Sequence, residues 1–191
     1  MKEWAKVHEL LSGGLSDFLS EALPEIGGDG WWQNYVVEQL TPGQARSIST
    51  LNVGELRGLD LAALIRVAER SWSEFVYKRS MMRDARALLG ELKVARNRYA
   101  HAPVNGVSLE DQLRDVDTAR RFMQAIGASE AALNEINGIH RGLLRKMATE
   151  EDEPLTPPTP PKPIDPPPAD PPAGTGLPPP PRRIATKTTI K

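Results

Sequence analysis

The distribution of proline divides this chain of 191 residues into two parts. Fifteen of the 18 prolines lie between Pro154 and Pro181, and only three precede that stretch. Because proline breaks helices and cannot donate a hydrogen bond to a sheet, so dense a stretch is incompatible with regular packed structure. We therefore predict a folded domain over residues 1–149 and a disordered proline-rich tail over residues 150–191.

The tail has the composition of a linker rather than of a folded unit. It favours the extended polyproline II conformation, which suits a spacer or, as a second interpretation, a ligand for a proline-reading domain. It ends in the basic, strand-like segment RRIATKTTIK at residues 182–191. We expect this segment to lead into a further domain, which would make the chain the N-terminal piece of a longer polypeptide.

Apolar residues recur at spacings of three and four through most of the first 149 residues. This spacing is typical of amphipathic helices, and no segment shows the alternation of a half-buried strand. The length suffices for one hydrophobic core. The sequence therefore predicts an all-α bundle of five or six helices. The predicted helical segments are 4–23, 31–40, 59–77, 80–101, one that begins after Ser108 and ends at Gly127, and one that begins after Ser129.

Glycine and proline mark the predicted helix ends. The glycine pair at 13–14 weakens the middle of the first helix and can split it, and Pro24 ends that helix. Thr-Pro-Gly at 41–43 stops the second helix, and a polar connection follows it. Pro103 ends the fourth helix, because the residue before a proline is pushed out of the helical region.

The composition excludes several classes of protein. The chain has no cysteine, which excludes a disulfide scaffold, a cysteine nucleophile, a cysteine-ligated zinc site and an iron–sulfur cluster. No run approaches the ~20 apolar residues that cross a bilayer, and the N-terminus lacks the apolar core of a signal peptide. We expect a soluble cytoplasmic protein that has no membrane partner.

Positive charge is concentrated in one stretch of a nearly neutral chain. The formal net charge is -1, but residues 78–98 carry seven basic and only two acidic side chains. Such a stretch can bind an anion, for example a phosphate backbone, or can simply form a solvated helix face. Charge alone favours the solvated face.

The segment RNRYAH at residues 96–101, here called the 96–101 motif, forms the end of the predicted fourth helix. Histidine transfers protons near neutral pH, and arginine presents fixed donors that match phosphate oxygens. Asn97 and His101 are four residues apart and share a helix face. Arg96 lies about 140° around the helix from His101, so one protomer would not aim both at the same phosphate. Two copies of the helix could converge on one cleft, which would make the site dimeric.

The spacing of the motif is weak support by itself. The chain has 16 arginines and three histidines, so a match of this kind has a high chance of being accidental. The alternative is that His101 caps the helix by bonding a carbonyl and that the arginines are solvated. His8 and His140 are interpreted as surface or boundary residues with no obvious partner.

The 96–101 motif resembles the signature of the HEPN superfamily (higher eukaryotes and prokaryotes nucleotide-binding domains), in which an arginine and a polar residue precede a histidine. More narrowly, ELKVARNRYAH at 91–101 is similar to the SWT-type HEPN subfamily. Members occur beside an RNA-surveillance endonuclease of yeast and at the N-termini of bacterial defence-type proteins. Trp-Trp at 31–32 and Ile-Gly-Ala at 126–128 match flanking features of that subfamily, whereas Lys93 replaces an arginine.

The resemblance implies a metal-independent endoribonuclease without a cofactor, acting as a homodimer and leaving a 2′,3′-cyclic phosphate and a 5′-hydroxyl. His101 would be the general acid/base, Arg96 the clamp on the transition-state phosphate, and Asn97 a supporting polar group. The predicted RNA-binding residues are Lys78, Arg79, Arg83, Arg86, Lys93, Arg98 and Tyr99.

Two functions remain open from the sequence. The first is a ribonuclease module in RNA processing or anti-phage defence, with a C-terminal effector or ATPase region in cis or in trans. The second is a non-catalytic dimerisation or RNA-binding module of a larger ATPase or helicase-type defence protein. A DNA-binding helix-turn-helix is disfavoured, because the helix after residue 101 opens with acidic residues where a recognition helix would meet phosphates.

Overall fold

The structure is a computed structural model that describes residues 2–79, 81, 84–102 and 106–151. These residues form α-helices joined by short 3-10 and π-helical turns, and they contain no strand. The α-helices are α1 (Lys2–Gly27), α2 (Pro42–Thr50), α3 (Leu61–Arg79), α4 (Ala85–Ala100), α5 (Leu109–Ala125) and α6 (Glu130–Glu151). The predicted all-α bundle is confirmed. Residues 152–191, which include nearly all of the predicted tail, lie outside the described residues, as do Arg83 and Pro103.

The first helix forms the centre of the bundle. α1 packs against α3, α5 and α6, while α4 lies between α3 and α5. The Phe18 ring of α1 lies 5.1 Å from that of Phe75 on α3, and the Trp72 ring of α3 lies 6.2 Å from that of Phe122 on α5. Burial of each apolar side chain of this size contributes ~1.5–3 kcal/mol to the free energy of folding. The residues that form the core are those with the apolar spacing read from the sequence.

The first helix is longer than predicted and is not split. α1 passes through the glycine pair at 13–14 and through Pro24, and it ends only at Gly27. Leu11 and Leu15 on either side of the glycine pair are buried, as are residues 23 and 26 around the proline. Tertiary burial therefore outweighs the helix-breaking tendency of these residues.

The polar connection predicted after residue 40 is wrong, because α2 lies there. The Thr41 hydroxyl accepts a hydrogen bond from the Gln44 backbone N–H (3.2 Å), and Gln44 Oε1 accepts one from the Thr41 N–H (3.1 Å). Pro42 occupies the first position of the helix, where its missing N–H costs nothing. The same three residues that resemble a stop signal therefore begin a helix with a capping box.

The segment before α2 also differs from a regular helix. Residues 28–30 and 37–39 form 3-10 turns around a π-helical turn at Trp32–Val36. The Trp31 and Trp32 rings meet edge to face, with centroids 5.5 Å apart. The predicted starts after Ser108 and Ser129 are confirmed.

Candidate functional site

The end of α4 positions the 96–101 motif. Leu92 and Ala95 are buried in the core, and this fixes the rotation of the helix about its axis. Arg96 is consequently half-buried, while Asn97 is exposed. His101 is the residue at which the helix ends, and its backbone N–H donates to the carbonyls of Asn97 (3.2 Å) and residue 98 (3.3 Å).

Arg96 lies between two cavities. One, of about 170 Å³, is lined by Asn97, Lys93 and Glu69 together with residues of α2 and α3. The other, of about 380 Å³, is called the His8 cavity here. It is lined by Trp4, Ala5, His8, Arg96, Tyr99 and Ala100.

The guanidinium of Arg96 remains available to a ligand. Its Nη1 donates to Asn97 Oδ1 at 3.2 Å, and it forms no ion pair with any carboxylate of the described residues. A guanidinium has five donor hydrogens in a fork that fits phosphate oxygens. Arg96 can therefore bind a phosphate without first losing a protein partner.

His8 is a candidate residue that sequence reasoning missed. It lies on α1, half-buried, and lines the same cavity as Arg96. Burial and, next, the Arg96 guanidinium lower the pKa of His8 below its ordinary value of 6.5, while the Asp60 carboxylate acts in the opposite direction. The sequence does contain one indication that His8 faces the domain. It follows Trp4 by four residues and precedes Leu11 by three, which places it on the apolar face of the helix.

Tyr99 helps to close the His8 cavity. Its ring stacks on Trp4 with centroids 4.0 Å apart and an interplanar angle of 6°. Burial raises the pKa of the Tyr99 hydroxyl well above its usual range, so the phenol stays neutral. The pair forms an apolar wall next to Arg96 and His8.

Arg98 points into a different environment from Arg96. Its Nη1 lies 2.7 Å from the buried Asp115 carboxylate and 3.4 Å from that of Asp111, both on α5. Burial raises the pKa of Asp115, and Arg98 opposes this effect. The structure therefore places this predicted RNA-binding residue in a contact between α4 and α5.

The other predicted RNA-binding residues do not form one continuous strip with the motif. Lys78 donates to the Ile26 carbonyl (3.1 Å), and Arg79 pairs with Glu25 (3.3 Å). Lys93 pairs with Glu69 (2.8 Å) beside Arg96. Arg86 is exposed near the start of α4, and Arg83 lies outside the described residues. Of these, Lys93 is the one that shares a cavity with Arg96.

His101 and Arg96 do not meet within one protomer. The His101 side chain is exposed and lines neither of the two cavities that contain Arg96. The backbone N–H of His101 closes the helix end, and no hydrogen bond of its imidazole is found among the described residues.

The largest of the described cavities lies elsewhere. It has a volume of about 770 Å³ and lies along α1 near the junction of α5 and α6. Three carboxylates, those of Glu9, Asp17 and Glu21, line it beside Arg57. Like charge makes this groove a poor place for a phosphate backbone. Size alone therefore does not identify the site.

Two further properties concern the described part of the chain. No helix there is long and apolar enough to cross a bilayer. Within the same residues, no three side chains of the His, Asp and Glu types gather as a metal site would require.

An all-α bundle with Arg-Asn and His at the end of α4 is the arrangement that the HEPN resemblance predicts. A family model described as Swt1-like HEPN matches residues 6–127, and the chain belongs to this family. Neither the curated proteins nor the solved structures gave a match. The match confirms the resemblance that the 96–101 motif suggests, and the family indicates a ribonuclease or RNA-binding module.

Proposed function

We propose that this domain is a metal-independent endoribonuclease that acts as a homodimer. The observation that carries the proposal is the contrast among the arginines of α4. Arg98 is held by carboxylates of its own domain, whereas the partner of Arg96 among the described residues is the neutral amide of Asn97, and Arg96 opens onto two cavities. A half-buried cation beside a cavity, with no ion pair in the part of the chain that the structure describes, is suited to an anionic ligand.

RNA cleavage of this kind needs proton transfer and stabilisation of charge. A base takes the proton of the ribose 2′-hydroxyl, the 2′-oxygen attacks phosphorus, and an acid protonates the departing 5′-oxygen. Arg96 would stabilise the negative charge that accumulates on the phosphorane. Asn97 would orient Arg96, and His101 would transfer a proton.

The geometry of α4 supports the proposed homodimer. Because Arg96 and His101 lie about 140° apart around the helix axis, a second protomer must bring its own α4 alongside to complete the site. The exposed position of His101 suits this arrangement. We further propose that the domain works in the cytoplasm, in RNA processing or anti-phage defence, with an effector or ATPase region in cis or in trans.

The test is cleavage of a mixed RNA pool by the 191-residue chain in EDTA. We expect wild-type protein to cut and to leave cyclic-phosphate ends. Arg96→Ala and His101→Ala should each lower the rate by ~10²–10⁴-fold. The matched controls are Arg145→Ala and His140→Ala on α6, which should cut at the wild-type rate. Cleavage that requires Mg²⁺, or that survives both site substitutions, would contradict the proposal.

One observation favours the second function, a non-catalytic RNA-binding and dimerisation module. In a single protomer His101 lines neither of the two cavities that contain Arg96. Arg96 could therefore bind RNA there without a proton-transferring His101 beside it. A folded dimer that binds RNA with loss of affinity in Arg96→Ala, but cuts no RNA, would establish this function instead.

A further inference from the structure

We propose that His8 is a catalytic residue of the same site and accepts the proton of the ribose 2′-hydroxyl. This inference deepens the proposed ribonuclease function and rests on it. The 96–101 motif does not indicate a role for His8, because His8 is far from the motif in the sequence. The packing of α1 brings it to the site.

The first support is placement. His8 and Arg96 line one cavity of about 380 Å³, although they lie on different helices. His8 is in the first half of α1, the central helix of the bundle, so its backbone is held firmly. A general base must lie within hydrogen-bond reach of the proton that it takes, and a rigid element holds it there more precisely than a loop.

The second support is the freedom of the imidazole. A structural histidine at the edge of a core normally has its ring nitrogens hydrogen-bonded. Apart from the backbone hydrogen bonds of α1, His8 accepts a hydrogen bond at its backbone carbonyl from Ser12 Oγ (2.8 Å), and its ring nitrogens have no hydrogen bond among the described residues. The ring is half-buried and faces a cavity that solvent or substrate can enter.

The third support is the local charge. The charged groups that act on His8 are Arg96 from α4 and Asp60, just before α3. Burial and Arg96 together lower the pKa of His8, so the ring is neutral and can accept a proton at neutral pH. The same guanidinium that would bind phosphate therefore keeps the neighbouring base unprotonated.

The fourth support is the shape of the cavity. The stacked rings of Trp4 and Tyr99 form an apolar wall on one side of it. Such a wall gives a sugar or base an apolar surface to contact. The cavity thus combines an apolar wall, a cation for the phosphate and a proton acceptor.

In the proposed cleavage step, His8 accepts one proton and His101 donates another. The proton of the 2′-hydroxyl moves to a ring nitrogen of His8 while the 2′-oxygen forms its bond to phosphorus. The bond between phosphorus and the 5′-oxygen breaks, and that oxygen receives a proton from the His101 imidazolium. The products are a 2′,3′-cyclic phosphate and a 5′-hydroxyl, and exchange with solvent restores both histidines.

The experiment compares wild type, His8→Ala and His140→Ala as full chains cutting RNA in EDTA from pH ~5 to ~9. We expect His8→Ala to lower kcat by ~10²-fold or more with little change in KM, and to lose the acidic limb of the pH profile. Added free imidazole should restore cleavage, because the truncated side chain leaves room in the cavity. His140→Ala should retain the rate and the profile.

Rescue by imidazole separates a chemical role from a structural one, because imidazole cannot repair a misfolded protein. If His8→Ala cuts RNA as fast as wild type and His140→Ala do, the role of His8 is refuted and the proposed function stands. If wild type cuts no RNA, both fail. Should His8→Ala unfold, NMR titration of the wild-type His8 ring decides: a pKa that differs from the acidic limb overturns the inference.

Discussion

At the scale of single residues, Arg96 and Arg98 show how two arginines of one motif acquire different roles. They are two positions apart on α4, so they project from different sides of the helix. Arg98 meets the acidic first turns of α5 at Asp111 and Asp115. Arg96 lines cavities with His8 of α1 and Gln44 of α2, and the Glu69 carboxylate of the second cavity is paired with Lys93, so Arg96 keeps its charge available to a ligand.

Arg98 is predicted to stabilise the domain. Arg98→Ala leaves the buried Asp115 carboxylate without its nearest cation, and we expect a loss of about 1–3 kcal/mol in the free energy of unfolding at pH 7. Urea denaturation measures this loss. Arg86→Ala, an exposed arginine of the same helix, should change stability by less than ~0.5 kcal/mol. Equal effects of the two substitutions would contradict a specific role of Arg98.

The same substitution has a predicted pH dependence. The pKa of Asp115 is raised above its ordinary value of 3.8, so the folded state holds this proton more tightly than the unfolded chain. The ionised carboxylate therefore costs stability above the raised pKa, and the cost disappears below 3.8. Removing Arg98 raises the pKa further, so the loss in Arg98→Ala should shrink as the pH falls from 7 towards ~4.

At the scale of helices, glycine and proline have opposite effects in different places. Gly127 follows the last turn of α5 with φ +71°, and the next N–H, that of Ala128, donates back to the Met123 carbonyl (2.9 Å). This is the pattern that closes a helix through a left-handed residue. The glycine pair of α1, in contrast, lies in an unbroken helix, because neighbouring residues are buried.

Substituting alanine for two glycines should therefore have opposite effects. Gly127→Ala places a side chain in the left-handed region and should lower the free energy of unfolding by about 1–2 kcal/mol. Gly138 lies within α6, and a Cβ added there meets no atom of the described residues within 4 Å. Gly138→Ala should accordingly stabilise by ~0.5–1 kcal/mol. Thermal unfolding of both variants tests the signs, and destabilisation by both would refute this account.

At the scale of the whole molecule, the proposed site would need groups from two protomers. α1 and α4 bring His8 and Arg96 to one cavity within a protomer. His101 lies outside that cavity, at the end of α4, and is exposed. A homodimer that apposes the two α4 ends would complete the set of groups, and it would do so symmetrically because the same surface serves both copies.

Mixing two inactive variants tests this assembly. Arg96→Ala and His101→Ala chains are each expected to be inactive as homodimers. A mixed dimer retains one Arg96 and one His101 on different protomers, so mixing the two proteins after subunit exchange should restore cleavage. Light scattering should show a dimer throughout. Mixed dimers without activity, or a monomer that is fully active, would refute the composite site.

The sequence by itself determined the all-α class, the HEPN family and the presence of the five longer helices, because periodic burial and a compact motif are local properties of the chain. It also predicted Arg96, Asn97 and His101 as candidates. Only the tertiary structure decided which cations stay unpaired, because a partner such as Asp115 for Arg98 comes from a separate helix. The packing of α1 against the end of α4, which no local pattern encodes, likewise placed His8 beside Arg96.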